Sequence, residues 1–185
     1  MASCATFQKP DTKGLKNNLD RICFSAEGKG RVTLSSKKYA FDFESLISRD
    51  KKKWAIDFHF PSAIEKIIEV DYDRPLSKQK ESFKKLLADL NKEEFNDFLL
   101  SEFWEKMSKI LKASEGLDKN LNWSILRDKF IISFPPAKGY TFRFEAFNLD
   151  LFFRRMKISI ENEGSSGING PAFQIELFLD SCSVI

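Results

Sequence analysis

At 185 residues the chain has the length of one domain with enough residues to bury a sizeable core. Hydrophobic residues make up 42% and charged residues 31%, a balance that excludes a disordered chain. The net charge is +3 with lysines and carboxylates interleaved, which leaves no nucleic-acid patch, and no apolar run approaches the roughly 20 residues that cross a bilayer as a helix.

Residues 1–11 lack periodicity and read as an N-terminal tether, with 12–185 as a single domain. Cys4 follows Ala2 and Ser3 and precedes a polar stretch. Small residues before a near-terminal cysteine resemble the end of a bacterial lipoprotein signal, where that cysteine is lipid-modified. The apolar part of such a signal does not precede it, so on this reading Met1 is an added start. The alternative is an ordinary thiol in a cytosolic protein. Asp11 or Thr12 can cap a helix over 13–24, with Leu15, Leu19 and Ile22 on one face. Gly28 and Gly30 end that run and open a sheet.

Four aromatic-rich strands follow, over 30–36, 38–46, 53–60 and 66–73. Tyr39, Phe41 and Phe43 alternate with Asp42 and Glu44. Trp54, Ile56, Phe58 and Phe60 alternate with Asp57 and His59, and Ile68 and Val70 with Glu69 and Asp71. Period-2 alternation predicts an antiparallel sheet with one aromatic face and one charged, wet face. The period then changes. Phe83, Leu86, Leu87 and Leu90 recur at helical spacing, and Asn91 can cap a second helix carrying Phe95, Leu99, Phe103, Met107 and Leu111 on one stripe. An apolar stripe of this kind seeks an apolar partner, and the aromatic sheet face supplies it. Strands resume over 123–134, from Tyr140 through Phe142 and Phe144, over 149–161, and from Phe173 to Asp180, with Gly164–Gly170 as a hairpin loop. The expected fold class is α+β, a single curved antiparallel sheet of seven or eight strands wrapped around or covered by helices.

Chemistry-bearing patterns are sparse. His59 is the single histidine and falls on the charged face of its strand, where a surface role is expected. No second His or Cys sits at metal spacing, no serine lies in a nucleophile elbow, and no phosphate loop occurs. The pairs Asp42/Glu44 and Glu69/Asp71 share a strand face and read as solvated. The sequence therefore predicts no catalytic residue, metal or cofactor. Cys23 and Cys182 either pair in an oxidising compartment or stay as separate buried thiols, and the second option is slightly favoured. The chain's 19 phenylalanines imply a wide core or an aromatic-lined cavity.

The segment from Leu19-Asp20-Arg21-Ile22 through Ser25-Ala26-Glu27-Gly28-Lys29-Gly30-Arg31-Val32, followed by the strands Tyr39–Phe43 and Trp54–Phe60, resembles the opening of the lipoprotein carriers LolA and LolB. The resemblance covers mainly residues 15–73. It implies an incomplete β-barrel with a helical lid, whose cavity takes the acyl chains of lipoproteins. It further implies that Ile64, in the loop after Pro61, is a membrane-insertion residue. Cys4 is then the lipidation site, as in the outer-membrane receptor. After strand four the family carries a short Pro- and Gly-containing helical segment, whereas this chain has a long charged helix pair over 77–113.

The expected site is an acyl-chain cleft lined by Tyr39, Phe41, Phe43, Trp54, Ile56, Phe58, Val70, Phe142 and Phe144, with Phe95, Leu99 and Phe103 as its lid. The expected partners are lipid or lipoprotein acyl chains and a membrane reached through the N-terminal anchor, on the periplasmic side of a bacterial outer membrane. The alternative is an envelope-anchored scaffold with a packed core, which binds another protein through Gly164–Gly170 or the basic run 49–53.

Overall fold

The computed structural model describes residues 12–23, 25–34, 37–48, 52–61, 65–71, 73, 97–114, 116, 118, 121–127, 129–149, 153–162 and 172–182. Nine strands form one antiparallel sheet. They are β1 (Ala26–Leu34), β2 (Lys37–Ile47), β3 (Lys53–His59), β4 (Glu65–Asp71), β5 (Asn122–Leu126), β6 (Lys129–Ser133), β7 (Tyr140–Leu149), β8 (Phe153–Asn162) and β9 (Phe173–Cys182). Two helices accompany them among the described residues, α1 (Thr12–Leu19) and α2 (Asp97–Ser114). The sheet is open and sheet-dominated α+β architecture results. Its order is β4-β3-β2-β1-β9-β8-β7-β6-β5, so β4 and β5 are the edges. Each half of the chain is a meander, and the two meanders join where the first strand meets the last.

That junction depends on two glycines. β1 pairs with β9 from Leu34↔Phe173 down to Gly28↔Leu179, then shifts to Glu27↔Ser181, which leaves Asp180 as the extra residue of a β-bulge. A Cβ on Gly28 would lie 2.1 Å from the carbonyl oxygen of Phe178. A Cβ on Gly30 would lie 2.3 Å from the ring of Phe41, which crosses β1 at that point. The glycines therefore belong inside β1, which begins at Ala26 rather than after them. They mark close approach, not a break.

α1 is shorter than the periodicity predicts. It ends at Leu19, and i→i+3 bonds from Arg21 to Asn18 and from Ile22 to Leu19 tighten the exit. Leu15, Leu19, Ile22 and Cys23 are all buried. Cys23 is bonded to Cys182 across a sequence separation of 159, with Cα atoms 5.9 Å apart. This corrects the expectation of separate thiols. The two cysteines meet because the β1–β9 pairing brings Ala26 opposite Cys182, three residues after Cys23. The bond thus locks the start of the sheet to its end.

The stretch 123–134 holds two strands rather than one. Trp123 and Ile125 of β5 oppose Ile132 and Phe130 of β6. The chain reverses beside Arg127, whose φ of 58° is left-handed backbone that glycine or asparagine usually takes. This split, with smaller shifts at other strand ends, raises the strand number to nine.

Replacing Cys23 and Cys182 together by serine should lower unfolding stability by about 2–5 kcal/mol, read as a urea midpoint shift that reductant reproduces in the wild type. A midpoint indifferent to reductant would contradict the bond. Gly28→Ala should cost about 1–3 kcal/mol and more than Gly30→Ala, because a strand carbonyl yields less readily than a ring edge. Equal losses in thermal unfolding would contradict this reading of the seam.

Candidate functional site

The aromatic face of the sheet is the candidate site. Alternation places Phe41 and Phe43 of β2 beside Ile56 and Phe58 of β3, and Trp54 opposite Val70 of β4. Phe41 meets Phe58 edge-on with ring centroids 4.7 Å apart and tilts over Phe60 at 5.3 Å. Such pairs add about 0.5–1.5 kcal/mol each beyond area burial. On the other side of the seam, Phe142 and Phe144 of β7 face Ile160 and Ile158 of β8. Phe142 packs edge-on against Phe134.

α2 covers this face. Phe103, Trp104, Met107, Ile110 and Leu111 are buried, and they belong to the same apolar cluster as the sheet residues. Phe103 meets Phe173 of β9 edge-on at 5.7 Å and lies against Trp104 at 4.6 Å. The described part of the stripe predicted from helical spacing, Phe103, Met107 and Leu111, is thus on the contact surface of the helix.

Of the nine expected cleft residues, Tyr39 is half-buried. The other eight, Phe41, Phe43, Trp54, Ile56, Phe58, Val70, Phe142 and Phe144, are at most 3% exposed. A side chain facing an open hollow keeps accessible area, so these eight contact packed atoms. The structure brings them into one cluster with Phe103 of the expected lid. Leu99 falls on α2, with its side chain outside the described residues. Phe95, Ile64, Cys4, the helix predicted from Phe83, Leu86, Leu87 and Leu90, and the Gly164–Gly170 loop also lie outside them. Phe60, Trp104, Phe130, Phe153 and Phe173 are further members of the cluster. Phe60 and Phe173 continue the alternation of Phe58 and Ile175, a signal already present in the sequence.

The rim of α2 is charged. Lys106 is buried, 3.2 Å from Glu102 and 3.3 Å from Glu105, with its ammonium 5.6 Å from the centre of the Phe134 ring. Lys109 donates to Glu105 at 2.8 Å. That hydrogen bond, aided by the charge of Lys106 and opposed by partial burial, holds the Glu105 carboxyl below the usual carboxylate range.

The opposite face of the sheet is less wet than alternation predicts. Glu176 of β9 is buried between Arg31, 3.0 Å away, and Arg155, whose Nε donates to it at 2.9 Å. Glu145 of β7 is buried between Lys129 at 3.3 Å and Lys157 at 3.7 Å. Asp71 is also buried, accepting from the Asp73 amide at 2.9 Å and lying 3.9 Å from Lys53. This corrects its reading as solvated. In the basic run, Lys52 is paired with Asp73 at 2.8 Å. Asp42, Glu44 and Glu69 are exposed as expected. His59 lies 3.8 Å from Asp57 and borders a hollow of about 270 Å³ with Glu27, Lys29, Asp42, Glu44 and Asp180. Among the described residues no group of three His, Cys, Asp or Glu is arranged to hold a metal, and no helix is long and apolar enough to cross a membrane. No family model and no curated protein matches the chain.

A carboxyl with a lowered folded pKa stabilises above its unfolded pKa, and that stability is lost as pH falls through the folded value. Glu105→Gln should therefore lower the melting temperature slightly at neutral pH, since the pair is half-exposed. The difference from wild type should close at acid pH below the ordinary carboxylate range. A difference constant across that range would contradict the ion-paired rim.

Proposed function

We propose that this is an exported, non-enzymatic protein that binds acyl chains of lipids or lipoproteins between its aromatic sheet face and α2. The single observation that carries the reading is an open sheet whose aromatic face is covered by α2 through apolar side chains. Apolar packing is non-directional. Lifting the helix and laying an acyl chain on the same rings exchanges one apolar cover for another, at roughly 25 cal/mol per Å² in either direction. Binding then needs no covalent step, and return of the helix drives release.

In this account the sheet curls into an incomplete barrel, with Tyr39, Phe41, Phe58, Phe142 and Phe144 toward the chain and Phe95, Leu99 and Phe103 as its cover. The Cys23–Cys182 bond supports an oxidising compartment such as the bacterial periplasm. The resemblance to LolA and LolB favours a place at the outer membrane, with Cys4 as anchor, Ile64 at an inserting loop and lipoprotein transfer as the process served. A second reading is an anchored scaffold with a protein partner in the envelope. The near-complete burial of the eight aromatic-face residues favours it.

Native mass spectrometry of the purified protein, with displacement of a fluorescent fatty acid, separates the two. The carrier reading predicts co-purified lipid and saturable displacement that Phe41→Asp abolishes. Failure of the wild type to retain lipid or bind the probe would leave the scaffold.

A further inference from the structure

We infer that the β5–β6 hairpin end is a membrane-contact tip, which dips Ile125 and Leu126 into the interface of an anionic bilayer. Ile125 is 51% exposed and Leu126 60%, two large apolar residues in succession at the end of an edge strand. The other exposed large apolar residues among those described, Leu46, Ile67 and Phe178, are separated from one another by polar neighbours on the outer face: Ile67 opposes Asp57, and Phe178 sits between Lys29 and Arg155. Single exposed residues need no explanation, but an adjacent pair at a strand end does.

The two sheet edges differ in a way that sharpens the point. β4 carries four charged residues in seven, Glu65, Lys66, Glu69 and Asp71, the usual protection of an edge. β5 carries none in its five, Asn122–Leu126.

The occupant follows from geometry and charge. Successive strand residues point to opposite faces, so Ile125 is on the Phe130 side of the sheet and Leu126 on the Lys129 side. A protein docking on one face would meet one of them. A bilayer entered end-on surrounds both. The exposed Arg127 follows directly and carries a cation to the depth where the apolar pair enters, which suits anionic headgroups. Trp123, half-buried against Phe130 with ring centroids 6.0 Å apart, sits at the boundary between tip and core. The inference does not require an acyl-chain site.

Co-sedimentation of the full chain with phosphatidylcholine vesicles, with and without phosphatidylglycerol, tests it. The wild type should bind the anionic vesicles more strongly, with a blue shift in tryptophan emission from Trp123, since Trp54 and Trp104 are already buried. Ile125→Ser with Leu126→Ser should reduce the bound fraction about fivefold or more, at unchanged melting temperature. Arg127→Glu should remove the preference for phosphatidylglycerol, and Leu46→Ser should change nothing. A wild type that stays in the supernatant, or a double variant that binds as the wild type does, would overturn the inference.

Discussion

The pairing of the first strand with the last holds this molecule together. Without the β1–β9 ladder, the chain would be two separate meanders, each with two open edges. The ladder joins residues far apart in sequence, so it carries a large loop-closure cost. Several features concentrate there. Gly28 and Gly30 let strand and ring approach closely, Arg31 reaches across to Glu176, and the Cys23–Cys182 bond closes the end. The disulfide acts on the unfolded chain and removes part of the entropy that the ladder would otherwise have to overcome.

The two faces of the sheet are built on different physics. The inner face is an aromatic layer against α2, held by area burial and edge-on ring pairs. The outer face over β7–β9 is held by carboxylates sunk among longer cations. Glu176 takes two arginines and Glu145 two lysines. A buried carboxylate is tolerable only when its partners stay in place. These clusters therefore fix strand register from outside and leave the inner face to be shaped by apolar packing.

Much of this was legible in the sequence wherever the signal is local. Trp54, Ile56, Phe58 and Phe60 announce a strand with one aromatic side, because period 2 needs no knowledge of the neighbours. Phe103, Met107 and Leu111 announce a helix and its buried stripe in the same way. What failed was non-local. Gly28 and Gly30 read as breakers, although they sit inside a strand because Phe178 and Phe41 press against them. The turn at Arg127 was hidden because no glycine or asparagine marks its left-handed backbone. The disulfide and the burial of Glu176 both follow from the β1–β9 register, which no spacing along the chain reveals. For the site, the aromatic residues were assigned to the correct face. Their near-complete cover matches the packed-core alternative rather than the open cleft, a choice that alternation cannot make because burial depends on what lies above them.

The central claim is that α2 is a removable cover on a sheet locked by its seam. Native-state hydrogen exchange tests it most directly, since local openings appear at free energies below that of global unfolding. The account predicts that amides of α2 exchange through a low-energy opening, while those of β1 and β9 exchange only when the whole molecule unfolds. If the amides of α2 and of the β1–β9 ladder share one opening free energy, helix and sheet form a single indivisible core and the claim is wrong.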